Sequence, residues 1–221
     1  MGVAYRIHYM LPVGRNGETM TTTPPAPRID EPVPLALANT IWVDRHGVHD
    51  VLADRDYMEN WVRVIGKRLE LTPAINPSQR LSADAVTRLP DLRDAIRRLA
   101  ADATKDPRTL GLSPVPTVAA AVSLINEISA TSSVWPELCL GRRGLTRRDA
   151  WSGKSFPDGL ITVIARQTVE LAASPQWKQL RPCTAPACAY YFVKEHRREW
   201  CSALCGNRAR VARHAQRQRG R

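Results

Sequence analysis

The sequence predicts an α+β protein: a mainly α-helical body with minor β structure, followed by a small C-terminal module of another kind. Three observations carry this reading. Apolar residues recur at three- and four-residue steps through much of residues 54–173. The stretch 134–153, set among Gly141, Gly144 and Gly153, breaks that period and reads as a short β-hairpin or irregular strands. From Lys178 onward the chain turns strongly basic and holds four of its five cysteines.

Charge separates the two parts. Of the net charge of +11, nine units fall in Lys178–Arg221, where eleven Lys or Arg accompany two Glu. A near-neutral body carrying a basic end suits a polyanionic partner, most often nucleic acid; a solvated tail that aids solubility is the bland alternative. The chain has no apolar run of about 18 residues, so no membrane span is expected. The N-terminus lacks the layout of a signal peptide, so a cytoplasmic protein is expected.

Residues 1–34 read as a disordered or extended N-terminal segment. They lack sustained periodicity, and "TTTPPAPRIDEPVP" holds five prolines in fourteen residues. The body is assigned to residues 35–175. In "PLALANTIWV", Leu35, Leu37 and Ile41 suit a short strand or helix facing a core. Tyr57, Trp61, Val64, Ile65 and Leu69 make a helix over 54–71, stopped by Pro73. Ser82 is a candidate N-cap for the next helix. There, Leu89, Leu92, Ala95, Ile96, Leu99 and Ala103 form the apolar face, with "RDAIRR" outside and Pro90 expected to kink or restart it. Residues 117–130 and 157–173 read as two more helices, the second ended by Pro175.

The C-terminal module is assigned to residues 178–221. Its cysteines are spaced Cys183-x4-Cys188-x12-Cys201-x3-Cys205. Two close pairs joined by a short insert can grip one tetrahedral zinc ion from two sides. Two disulfides, or free core cysteines, are the alternatives, and without a secretory signal they are disfavoured. The insert "AYYFVKEHRREW" reads as a hairpin. The spacing of Cys201 and Cys205 fits the first turn of a helix, whose positive end favours thiolates. Knuckle, hairpin and ligand-bearing helix make a treble-clef arrangement. Four thiolates leave no open coordination position, so the zinc is expected to be structural.

The segment "RPCTAPACAYYFVKEHRREWCSALCGNRARVARHAQR" closely resembles the CGNR zinc finger, with the Cys-Gly-Asn-Arg signature at Cys205–Arg208. The body resembles, more weakly, the ABATE domain that accompanies this finger in bacterial stress-induced transcription regulators. That match is carried by "LALANT" (Leu35–Thr40), "MENWV" (Met58–Val62) and "LRDAIRRL" (Leu92–Leu99). Where the family motif often has Leu-Asp-Phe-Val-Asn-Thr, this chain keeps only the Asn39-Thr40 pair after Leu35. The resemblance implies a DNA-binding regulator.

Continuing the helix from Cys201 at about 100° per residue gathers Arg210, Arg213, Arg217 and Arg221 on one side. Leu204, Val211 and Ala215 fall opposite and are expected to form a packing seam. The arginine stripe suits phosphate and guanine edges. Asn207, Arg197 and Arg198 complete the expected nucleic-acid contacts. Arg208 lies beside the seam and is expected to be structural, stacking on Trp200 or on an aromatic of "AYYF", or bonding carbonyls near the knuckle. Tyr190, Tyr191 and Phe192 are expected in the module's core rather than stacked on bases.

In the body, "DRHGVHDVLADRD" contains a His46-x-x-His49 pair near Asp44, Asp50 and Asp54, and is expected to be a polar loop. Neither a phosphate-cradling glycine loop nor a nucleophile elbow is present, so an enzyme is not expected. A body of this size could bind a small-molecule effector or form a homodimer, and no ligand-binding residue is nominated. DNA is the expected partner. RNA binding, protein interaction through the module, and an unrecognised enzyme site in the body remain as rivals.

Overall fold

The computed structural model describes residues 30–44, 46–69, 80–109, 111–142, 144–152 and 156–219. The expected extended segment 1–34 lies, up to residue 29, outside them. From residue 30 the chain is already part of the body: Glu31 is 2% exposed. α1 spans Val33–Ala38 and every residue in it is buried. Its apolar composition suits a central position, and it packs between α3 and α5.

β1 (Ile41–Asp44) and β2 (Gly47–Asp50) form an antiparallel hairpin in which Asp44 faces Gly47. The "DRHGVHD" segment, expected as a polar loop, is therefore half of a hairpin. Gly47, with φ +129, supplies the turn conformation. His49 Nε2 sits 2.7 Å from Asp44 Oδ1, and its ring stacks on Trp42 at 4.2 Å. The pair is thereby engaged within the hairpin.

α2 (Arg55–Arg68) starts at Asp54, whose side chain accepts from the amides of Asp56 and Tyr57. α3 (Ala83–Thr104) starts at Ser82, whose Oγ accepts from Ala85 N at 3.0 Å. Pro90 sits within α3, which runs on without a break. The expected outer face of this helix is also revised. Arg93, Asp94 and Arg97 are buried. Arg93 is held by Asp94 and Asp50, and Arg97 by backbone carbonyls described below. Burial of such groups is tolerated because each meets hydrogen-bond partners.

α4 (Val118–Ser129) is capped by Thr117 and packs on α3 and α5 (Phe156–Ala173). Between them, β3 (Ser133–Gly141) and β4 (Gly144–Ser152) form a nine-pair hairpin that leaves Leu138, Leu140 and Leu145 exposed. The largest core cluster joins α1 to α5, with Leu37, Trp61, Ile65, Leu92, Ile96 and Ile164 in it. Among the described residues, no helix is long and apolar enough to cross a membrane.

After a 3-10 turn at Pro175–Gln179, β5 (Leu180–Pro182) pairs antiparallel with β6 (Tyr191–Val193). The insert expected as a self-contained hairpin thus contributes one strand, paired backward to the segment before the knuckle. α6 (Ala203–Arg219) closes the chain.

Candidate functional site

The cysteines build the site from two directions. Cys183 follows β5 and Cys188 ends a tight knuckle in which Ala187 adopts φ +52. Cys201 lies two residues before α6, and Cys205 lies in its first turn, where its amide donates to Ser202 Oγ at 3.2 Å. The helix therefore starts two residues later than the spacing suggested. All four sulfurs are buried and lie within 4.8 Å of one another. Separations of 3.4, 3.7 and 3.8 Å relate Cys201–Cys205, Cys188–Cys201 and Cys188–Cys205. Four-coordinate zinc with Zn–S near 2.3 Å sets its ligands about 3.8 Å apart, whereas a disulfide needs about 2.05 Å. The donor set fits a structural zinc ion, and the five cysteines are free thiols.

The thiols differ in acidity. Hydrogen bonds from Cys188 and Cys201 hold Cys183 down at about 6. Contacts with Cys183, Cys188 and Cys201, and then with Arg208, lower Cys205 further. Contacts with Cys183, first, raise both Cys188 and Cys201.

Each residue of the Cys-Gly-Asn-Arg signature has a separate task. Cys205 is a ligand. Gly206 lets α6 approach Trp200 closely, since a Cβ there would meet Trp200 Cδ1 at 3.1 Å. Asn207 Oδ1 accepts from Arg210 Nη2 on the helix surface. Arg208 donates to the Ala187 carbonyl at 3.1 Å and to Cys205 Sγ at 2.9 Å, bracing the knuckle against the helix. Of the partners expected for Arg208, the knuckle carbonyl is the one it bonds. Trp200 is instead met by Arg213, 5.5 Å from the ring centroid.

The rotational setting of α6 differs from the expected one. Its buried residues are Cys205, Gly206 and Ala209. Leu204 and Val211, expected to pack, are 75% and 70% exposed. Cys205 must point at the other sulfurs, so its side of the helix faces inward and Leu204 is carried about 100° away. Cys205 itself was the signal in the sequence that fixes this phase. Arg210, Arg213 and Arg217 are exposed, as are Asn207 and, in the turn before the helix, Arg197. Arg221 lies outside the described residues.

Arg198 is the exception among the expected nucleic-acid contacts. It faces the body, where its Nη2 donates to Glu31 Oε1 at 2.5 Å and to the Cys201 carbonyl at 2.8 Å. Its guanidinium lies 4.9 Å from the Phe192 ring centroid. Burial pushes the Glu31 carboxyl above the usual carboxylate range, against the opposing pull of the Val193 amide and Arg198. Arg198 thus acts as a latch between body and module.

That latch belongs to a larger set that the sequence reading did not identify. β5 occupies one edge of β6, and body side chains cover the other. Asn39 Nδ2 donates to the Tyr191 carbonyl and Asn39 Oδ1 accepts from the Tyr191 amide, both at 2.8 Å. The Val193 amide donates to Glu31 Oε2 at 3.2 Å. Side chains from α1 and its approach thereby stand in for a third strand.

Two arginines complete the joint. Arg97, 1% exposed, donates to the carbonyls of Ala38, Gly111 and Ala189. Arg108 Nη1 donates to the carbonyls of Cys183, Cys188 and Tyr190 at 3.3, 3.2 and 2.9 Å. Asp106 pairs with Arg108 at 2.6 Å and accepts from Tyr191 Oη at 2.6 Å. The knuckle backbone is thus held by the body through charged donors, which are stronger than neutral ones. Tyr191 and Phe192 are buried in this joint and in the module's core.

Comparison with known proteins gives two matches. A family described as "Putative stress-induced transcription regulator" (ABATE) matches residues 31–175. The CGNR zinc finger matches residues 179–218. No curated protein matches the chain. The first match covers most of the chain, the four-thiolate centre satisfies the second, and the chain belongs to the ABATE family with a C-terminal CGNR zinc finger.

Proposed function

We propose that the protein is a DNA-binding transcription regulator whose α6 meets the nucleic acid and whose helical body sets the position of that helix. The observation that carries this reading is the composition of α6. Between Ala203 and Arg219 it bears five arginines, Arg208, Arg210, Arg213, Arg217 and Arg219, and no acidic residue. Arg210, Arg213 and Arg217 are exposed and flank the side of the helix that Cys205, Gly206 and Ala209 fix to the zinc centre. Such a helix gains most of its affinity by neutralising phosphates. The family description supports a regulatory role.

In this reading the zinc centre is scaffolding, since four thiolates leave no position for substrate, and the protein acts by binding rather than by catalysis. The body is the sensing part. A cleft of about 250 Å³ between the β3–β4 hairpin and α5, lined by Trp135, Arg147, Asp149, Arg166 and Glu170, is where a small-molecule effector would enter.

The test is selection of genomic duplex fragments by zinc-loaded protein, in parallel with an Arg210→Ala/Arg213→Ala/Arg217→Ala variant. The wild type is expected to enrich discrete fragments, with affinity falling steeply with salt, and the variant to enrich none. Equal enrichment by both proteins removes α6 from the interface. Stronger binding to structured RNA than to any duplex, at matched salt, assigns the helix to RNA instead.

A further inference from the structure

We infer that α6 reads base edges in the major groove of duplex DNA through one stripe, Leu204, Asn207, Val211 and His214, and that its two apolar members recognise thymine methyl groups. The inference rests on the DNA-binding reading above and adds how sequence is recognised.

Steps of three, four and three residues place these side chains in one line along a helix. All four are exposed. Leu204 and Val211 are among the most exposed apolar side chains of the described residues, and neither belongs to the module's core cluster. Nothing within the finger therefore explains why a strongly basic surface helix carries them. Along the stripe, Asn207 is held by Arg210, and His214 Nε2 lies 3.0 Å from Gln218 Nε2. Arg210 and Arg217 flank it on one side and Arg208 on the other, by the turn of the helix.

An apolar and amide-bearing stripe beside the exposed row of Arg210 and Arg217 matches the chemistry of one surface. The major groove presents thymine methyl groups and base acceptors on its floor, with phosphates along both walls. At 17 residues, α6 spans about 25 Å, and a groove about 12 Å wide admits a helix. The absence of acidic residues from α6 favours a polyanion over a protein partner. The A-form RNA major groove is too deep and narrow for side chains to read, so the stripe fits duplex DNA.

The test uses a duplex obtained by selection, a scrambled duplex of equal length, and a third in which the thymines of the selected site are replaced by uracil, which removes only the methyl groups. Leu204→Ala/Val211→Ala should lose about five- to a hundredfold in affinity for the selected duplex. Its affinity for the scrambled duplex and its salt dependence should stay unchanged. Uracil replacement should weaken the wild type to a similar degree and leave the double variant nearly unaffected. Arg217→Ala should weaken both duplexes alike and lower the salt slope by about one. Zinc content and helical signal of each variant are measured alongside; the uracil arm needs no variant protein. If the wild type discriminates between duplexes yet neither the double variant nor uracil changes its preference, the stripe does not read bases. If the wild type binds no duplex even at low salt, the DNA reading fails and this inference fails with it.

Discussion

Asn39 and Tyr191 stand 152 positions apart in the chain and exchange two buried hydrogen bonds of 2.8 Å, amide to carbonyl in both directions. A side chain of the body thereby pairs with the backbone of the zinc module as a neighbouring strand does. The module is built into the body along this edge and has a fixed orientation on it.

Asn39→Ala leaves the Tyr191 amide and carbonyl buried without partners. We expect a loss of roughly 2–6 kcal/mol, since each of the two unsatisfied buried groups costs about 1–3 kcal/mol. Zinc stoichiometry should be unchanged, because no ligand is touched. Chemical denaturation of the zinc-loaded protein, with metal content measured beside it, checks both statements.

Arg108 joins the body to three carbonyls around the knuckle. Removing zinc with a chelator at neutral pH should free the knuckle, speed hydrogen exchange at the Tyr191 and Val193 amides, and lower the melting temperature by several degrees. Helical signal from α1–α5 should largely persist. Arg108→Ala should speed exchange at the same two amides while zinc stays bound. Unaltered exchange in both experiments would show that the joint does not couple the two parts.

Tyr191 provides a pH signature. Burial, first, pushes its phenol up to about 12, with the bond to Asp106 adding to the rise against the pull of Arg97 and Arg108. A phenol whose folded value exceeds its unfolded value of about 10 holds its proton more tightly in the native state. Its contribution to stability is complete below about pH 10 and is lost as pH rises toward 12. The melting temperature of the wild type should fall across that window, and Tyr191→Phe should flatten the fall. Ultraviolet titration of the phenolate separates this group from the other tyrosines.

Much of the architecture was legible in the residues. The helices at 55–68, 83–104, 118–129 and 156–173 follow from apolar period and, for the second, from the cap at Ser82, which are local properties. The four ligands followed from spacing, because two close cysteine pairs and a short insert constrain the chain to one metal. "DRHGVHD" was misread because its glycine looked like an interruption, whereas its positive φ makes the β1–β2 turn.

Other features depended on partners far away in sequence. Arg93 and Arg97 look like an outer helical face until Asp50 and the carbonyls of Ala38, Gly111 and Ala189 arrive to satisfy them. Arg198 looks like a free basic residue until Glu31 meets it. The helical wheel of α6 gave its spacing but not its rotation. Cys205 had to reach the sulfurs of Cys183 and Cys188 on another segment, and Gly206 had to meet Trp200. The sequence by itself determined the long helices of the body and the zinc ligands, since both rest on short-range spacing. Only the tertiary structure decided which charged groups are buried and which side of α6 faces outward, because those outcomes depend on where distant carbonyls, carboxylates and thiolates converge.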